Sequence, residues 1–292
     1  MQLRVRLMAA VTVAVLGGGS LALAGGVAGA AAASCPRSRL APPVNPMIRA
    51  QAPPGAGAQA VRGATKVFAF NWSGYAQSTT HKGTFKAVRD FWRVPTVNTN
   101  ASGNQYSSDW VGIGGFSDST LVQAGTEADN IGGTAKYDAW TEIIPAPEVV
   151  ISGLVIRPGD KMEGLVKETT AGTWKIRVID LTTGKSGGRT VKYRSSGKSA
   201  EAIHERPELG GRLATLAKTS NVTFDPGSFS TAPPGTPVWK PLLRAASGAM
   251  VNEIFMVNNA GTAIIASPSA ADTDSDGFTV ADGSTSPSPP NS

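Results

Sequence analysis

The sequence predicts an all-β fold, a sandwich or a barrel, on three observations. Short runs of alternating apolar and polar residues recur between residues 67 and 281. Turn chemistry separates them, as at Pro158-Gly159-Asp160, Thr182-Thr183-Gly184-Lys185 and Asn259-Ala260-Gly261. Only residues 209–217 carry a pattern a helix could use, and that stretch is too short to organise a domain.

In chain order the alternation predicts strands at 67–77, 84–94, 109–113, 120–127, 136–144, 161–169 and 173–180. It predicts further strands at 190–193, 199–205, 221–224, 253–257, 263–266 and 278–281. On 199–205 the period of two puts Glu201, Ile203 and Glu205 on one face and Ala200, Ala202 and His204 on the other. Arg206-Pro207 ends that strand, because proline cannot donate to the ladder.

The ends of the chain differ from this body. Arg4 and Arg6 precede an uncharged run rich in Ala, Val, Leu and Gly that closes on small residues. Residues 1–33 therefore read as a secretory leader, and the chain is expected to be secreted and extracellular. Residues 34–65 hold six prolines, four arginines and no acid. Such a segment is expected to bury no core. It is either a linker or a removable pro-segment whose positive charge covers an acidic cleft. Residues 66–282 form the expected β domain, and 283–292 (Gly, Ser and Pro-rich) a disordered tail.

The net charge of +6 is misleading. Seven of the 27 basic residues stand at or before Lys66, which leaves 20 against all 21 acidic ones. The body is near neutral, so no nucleic-acid partner is expected. Cys35 is the only cysteine, so no intrachain disulfide exists and burial alone must hold the domain together.

Strand parity points to a site. Gln123, Gly125 and Glu127 share a face; so do Asp138, Trp140 and Glu142, as do Trp110, Gly112 and Gly114, and Trp72 and Gly74. If these faces point the same way, one side of a sheet carries Gln123, Glu127, Asp138, Glu142 and Glu205 among tryptophans and glycines. A concave substrate-holding face has this composition, and a core face does not. An acid facing into a sheet is costly unless paired, hydrogen-bonded or in a wet cleft, so Glu205 is either a structural ion-pair member or a working acid/base. Glu201 is excluded as its partner, since four strand residues span roughly 13 Å.

Five motifs in order carry a resemblance: Asn71-Trp72-Ser73-Gly74-Tyr75, Trp110-Val111-Gly112-Ile113-Gly114-Gly115, Leu121-Val122-Gln123-Ala124-Gly125, Tyr137-Asp138-Ala139-Trp140-Thr141-Glu142, and Ala200-Glu201-Ala202-Ile203-His204-Glu205-Arg206-Pro207. Over about residues 70–280 the chain resembles the glutamic peptidases (eqolisins), secreted endopeptidases best known from fungi, and among them a bacterial-type member. The resemblance implies a β-sandwich of two curved antiparallel sheets, like a legume lectin, and a catalytic pair at Gln123 and Glu205. It implies substrate-binding or neighbouring roles for Trp72, Trp110, Asp138 and Glu142. The family commonly has aspartate where this chain has Gly114, and tryptophan where it has Ala202.

The chemistry of such a pair follows from the residue types. A glutamate can take a proton from water and later deliver it to the leaving amine. A glutamine carbonyl can accept from that water while its amide donates to the developing oxyanion. Neither metal nor cofactor is required. A free glutamate titrates near about 4.3, so an acidic optimum is expected. The expected partners are polypeptide substrates, with no stable membrane association, and the chain is expected to be a monomer. The alternative is a non-catalytic lectin-like module that binds carbohydrate or peptide on the same tryptophan-lined face.

Other chemistries lack their residues. Only His81 and His204 exist, with no His-Glu-x-x-His, and there is no Gly-x-Ser-x-Gly elbow. Asp272-x-Asp274-x-Asp276-Gly277 resembles the start of a calcium loop. Its twelfth position is Gly283 rather than Glu, so it reads as a solvated acidic turn, and no metal site is expected.

Overall fold

The structure, a computed structural model, describes residues 46–56 and 63–291. The expected leader lies outside the described residues. Twenty strands follow in order, and the described residues contain no helix. They are β1 (Arg49–Ala50), β2 (Ala64–Ala69), β3 (Trp72–Ser78), β4 (Ala87–Arg93), β5 (Ser108–Gly114), β6 (Leu121–Ile131) and β7 (Thr134–Ile143). Next come β8 (Val149–Val150), β9 (Lys161–Thr170), β10 (Thr173–Asp180), β11 (Lys185–Lys192), β12 (Ser199–Glu205), β13 (Glu208–Leu209) and β14 (Arg212–Leu213). The last are β15 (Val222–Phe224), β16 (Ser228–Ser230), β17 (Lys240–Pro241), β18 (Met250–Val257), β19 (Ile264–Pro268) and β20 (Phe278–Asp282).

The strands pair into the two layers of a β-sandwich. One sheet runs β8-β7-β6-β5-β12-β3-β18-β2-β1, antiparallel except where β18 meets β2. The other runs β11-β10-β9-β4, continues through β15 and β16 along β4, and ends at β20 and β19. Strand β19 also pairs with β18, so it joins the layers at one edge. The core between them takes Val111, Ile113, Val122, Ala124, Ala200 and Ala202 from the first sheet and Val88, Trp92, Met162, Val166 and Ile176 from the second. Trp92 Nε1 donates across the gap to Thr126 Oγ1 at 2.9 Å.

The two sheets differ on their outer faces. Strands β9 and β10 alternate buried and half-buried residues, as a sheet with one wet face does. Strands β3, β5 and β12 are buried at every position. The outer face of the first sheet therefore has a cover of its own. A second apolar cluster lies there, with Trp72, Trp110, Trp140, Leu121, Phe116, Ile203 and Met47.

Three sequence readings change. Residues 209–217 form no helix: Gly210 and Gly211, at φ +57° and +77°, turn β13 back onto β14. The strand expected at 67–77 breaks at Phe70-Asn71, so β2 and β3 pair with different sides of β18. The segment 34–65 is not wholly outside the sandwich, because β1 extends the first sheet and Met47 is 0% exposed in the outer cluster.

Candidate active site

Register lines up the site in three rows on the outer face of the first sheet, because residues directly opposite across strands point the same way. In the first row Glu205 stands between Trp72 and Ser108, followed by Glu127 and Asp138. The second holds Gly74, Ile203, Trp110, Gly125 and Trp140. The third holds Ala76, Glu201, Gly112, Gln123 and Glu142. All six predicted site residues thus share one face. His204 falls on the opposite face, as its parity requires, with Nδ1 2.8 Å from Asp109 Oδ1.

Glu205 is 8% exposed and held at both oxygens. Trp110 Nε1 donates to Oε2 at 2.8 Å, and Asn71 Nδ2 approaches Oε1 at 3.4 Å. Trp110 can lie flat because its neighbours are glycines. A Cβ at Gly112 would stand 2.9 Å from the indole Cζ3, and one at Gly125 would stand 2.4 Å from Trp110 Cβ. Trp72 meets Trp110 edge to face, with ring centroids 4.9 Å apart.

Gln123 is 2% exposed. Its Nε2 donates to Glu142 Oε2 at 2.5 Å, which fixes which end of the amide is which, and its Oε1 has no partner among the described residues. The indole nitrogens of Trp72 and Trp140 are also buried without a partner there. Asp138 is exposed at the rim of the first row.

The register does not set Gln123 beside Glu205. They are offset by four strand residues, roughly 13 Å of strand, with the Trp110 row between them. Gln123's lateral neighbour on β12 is Glu201, across Gly112. Glu201 is fully buried, and burial pushes its carboxyl well above the usual range, with Asp118 adding to the rise. The Arg206 guanidinium donates to the carbonyl oxygens of Phe70 and Val257.

Sequence reasoning missed two participants. Asn71 Nδ2, which approaches Glu205, also donates to the Pro46 carbonyl oxygen at 2.6 Å, and Asn71 Oδ1 accepts from Ile48 N at 2.8 Å. Met47 N donates to Gly115 O at 3.2 Å, and Phe70 N donates to Ile48 O at 2.7 Å. Residues 46–48 are thus bound along their backbone, and one amide serves both the Pro46 carbonyl and Glu205. Asn71 opens the first of the five motifs but carries no hydrophobic or acid/base signal, and Met47 sits in a proline-rich stretch, so neither marks itself as a site residue.

The model of the Peptidase A4 family matches residues 70–276, which span all five motifs. The chain belongs to the Peptidase A4 family. Solved structures agree on the architecture. Scytalido-glutamic peptidase with a transition state analog inhibitor superposes with a TM-score of 0.59 at 21% identity, over 73% of this chain and 98% of that one. SCP-B, an eqolisin in complex with the tripeptide Ala-Ile-His, gives 0.55 at 20% over 73% and 98%. Aspergilloglutamic peptidase from Aspergillus niger gives 0.52 at 26% over 61% and 99%. Among curated sequences none matches the chain. The protein is a glutamic-type endopeptidase on the eqolisin β-sandwich.

Proposed function

We propose that this endopeptidase is secreted and cleaves polypeptides at acidic pH, with Glu205 as general acid/base and Gln123 as the residue that meets the oxyanion. The observation that carries this reading is the held carboxylate. Glu205 lies on a tryptophan-lined face, oriented by Trp110 Nε1 and Asn71 Nδ2. Glu205 takes a proton from water as the water oxygen bonds to the scissile carbonyl carbon. The oxyanion that forms is met by the second amide hydrogen of Gln123, whose first is held by Glu142. Glu205 then returns the proton to the leaving nitrogen as the C–N bond breaks, giving a carboxyl and an amine. By register the β12 carboxyl nearest Gln123 is Glu201, across Gly112, whereas Glu205 is offset by roughly 13 Å of strand, so Glu201 is the second candidate for the acid/base. The unpartnered indole N–H groups of Trp72 and Trp140 are free to take substrate carbonyls. Secretion rests on the leader pattern of residues 1–33.

Residues 46–48 occupy this face in the full chain. They form a backbone-bonded stretch whose Pro46 carbonyl shares a donor with Glu205, and Met47 fills the Trp72–Trp110 cluster. The full chain is therefore read as a closed form that residues 46–48 hold shut. Of the four arginines of residues 34–65 only Arg49 is among the described residues, and it stacks on Phe116 at 4.8 Å.

The deciding experiment follows degradation of an unfolded protein from pH 2 to 8 by the processed chain, Glu205→Gln and Glu201→Gln. Loss in Glu205→Gln alone, with the fold intact, supports the assignment. Equal loss in Glu201→Gln would move the general acid/base to the row of Gln123.

A further inference from the structure

On the second sheet, away from Glu205, three elements bring carboxylates together. Asp225 follows β15, Asp272 and Asp276 lie in the β19–β20 connection, and Asp90 is on β4. One oxygen each from Asp225, Asp272 and Asp276 lies within 4.8 Å of the others. The acidic turn is only partly solvated: Asp274 is exposed and Asp276 half-buried, but Asp272 is 5% exposed, and Asp90 on the neighbouring strand is 0%.

The two buried acids are oriented alike. Asp272 Oδ1 accepts from Asp276 N at 3.0 Å, while its Oδ2 has no partner among the described residues. Asp90 Oδ1 accepts from Phe91 N at 2.7 Å, and its Oδ2 again has none. Asp276 Oδ1 is likewise unpartnered. Two glycines keep the space between them open. A Cβ at Gly277 would stand 2.2 Å from Asp272 Oδ2 and 3.0 Å from Asp225 Cγ. A Cβ at Gly227 would stand 2.3 Å from Asp90 Oδ2 and 3.1 Å from the Asp276 carbonyl oxygen. Each buried carboxylate is thus tied to the backbone by one oxygen and offers the other to the gap, as a ligand oriented from behind does.

We propose that Asp225, Asp272 and Asp276, backed by Asp90, form a structural site for a hard divalent cation of the calcium class. Buried carboxylates without countercharge are costly, and a cation at their meeting point removes that cost. Calcium accepts an irregular shell of carboxylate and carbonyl oxygens, whereas magnesium demands a compact octahedron. The site would tie β4, the end of β15 and the β19–β20 connection together, and stabilise the folded chain by mass action.

The test uses the full chain carrying Glu205→Gln to prevent self-digestion, stripped with a chelator and dialysed. Calcium chloride alone is titrated in by calorimetry, and melting temperature is followed in parallel. The expected result is one calcium per chain and a saturable rise of several degrees, with magnesium giving a much smaller one. Asp272→Asn and the more exposed Asp225→Asn should each lower calcium affinity at least tenfold. Absence of calcium heat and of a melting shift in the parent chain overturns the proposal whatever the variants do. An equal response to magnesium, or a calcium response untouched in both variants, overturns it as well.

Discussion

At Gly114 the backbone turns at φ +92°, and a Cβ would stand 2.3 Å from the Thr120 carbonyl oxygen. Glutamic peptidases commonly carry aspartate at this point of the motif, but here the β5–β6 connection closes too tightly for any side chain. Gly114→Asp is expected to cost about 2–4 kcal/mol, read as a lower melting temperature, because strain and clash act together. An unchanged melting temperature would mean that the loop opens without cost. Glu142 raises a different residue-scale question, since its Oε2 accepts from the Gln123 amide and in the proposed mechanism orients it. Glu142→Gln keeps an acceptor and should hold kcat within a few-fold, whereas Glu142→Leu should lower it about 10²-fold. Combining Glu142→Leu with Gln123→Ala should add little to Gln123→Ala alone. Additive losses in kcat would show that Glu142 acts by another route.

Among the elements, β12 is decisive because it is central and buried on both faces. Its period of two sends Ala200 and Ala202 into the core and Glu201, Ile203 and Glu205 to the outer face. The short segment 46–50 is the element proposed to close the site. It docks through Met47 and three backbone-directed hydrogen bonds to Asn71 and Phe70. Truncating a buried methionine costs about 2–5 kcal/mol, all of it charged here to the closed form. Met47→Ala in the full chain should therefore raise the initial rate on a protein substrate at least tenfold. The gain should vanish when Glu205→Gln is added. A rate equal to that of the unaltered chain would show that residues 46–48 do not guard the site.

At the scale of the whole molecule, the buried titratable groups favour acid. Burial raises Glu201, helped by Asp118, and raises Glu253 against the opposing pull of Lys66 and the Tyr75 hydroxyl. Burial alone would lower His204, but the charge and hydrogen bond of Asp109 outweigh it, with Asp282 and Glu205 adding, so His204 ends above its ordinary 6.5. All three groups bind protons more tightly folded than unfolded. Stability is then highest at low pH and falls as pH rises, across the raised carboxyls from 4.5 upward and across His204 above 6.5. At fixed calcium concentration the melting temperature should drop on the order of 5 °C or more between about pH 4.5 and 8. Glu201→Gln, which resembles the protonated acid, should shrink that drop. A melting temperature that climbs over the same range would contradict the sign.

Period-two alternation and turn residues were enough to place the long strands, and 173–180 and 199–205 coincide with β10 and β12. Strands of two or three residues such as β1, β8 and β17 left no pattern, because alternation needs length to be visible. The face shared by Trp72, Trp110, Gln123, Asp138, Glu142 and Glu205 was legible for the same reason: side-chain direction is a local property of a strand. Local rules are silent on which strands become neighbours and in what register. Pairing set Gln123 in the row of Glu201, across Gly112, rather than in that of Glu205, brought Asn71 to the Glu205 carboxylate, and gathered Asp90 with acids more than a hundred residues away. Folding the chain back also placed Met47 in the outer cluster that holds the tryptophans. The sequence by itself determined the fold class, the family and the chemical character of the site face. Only the tertiary structure decided what touches Glu205, what covers it and where the buried acids meet, because those follow from pairing between distant strands.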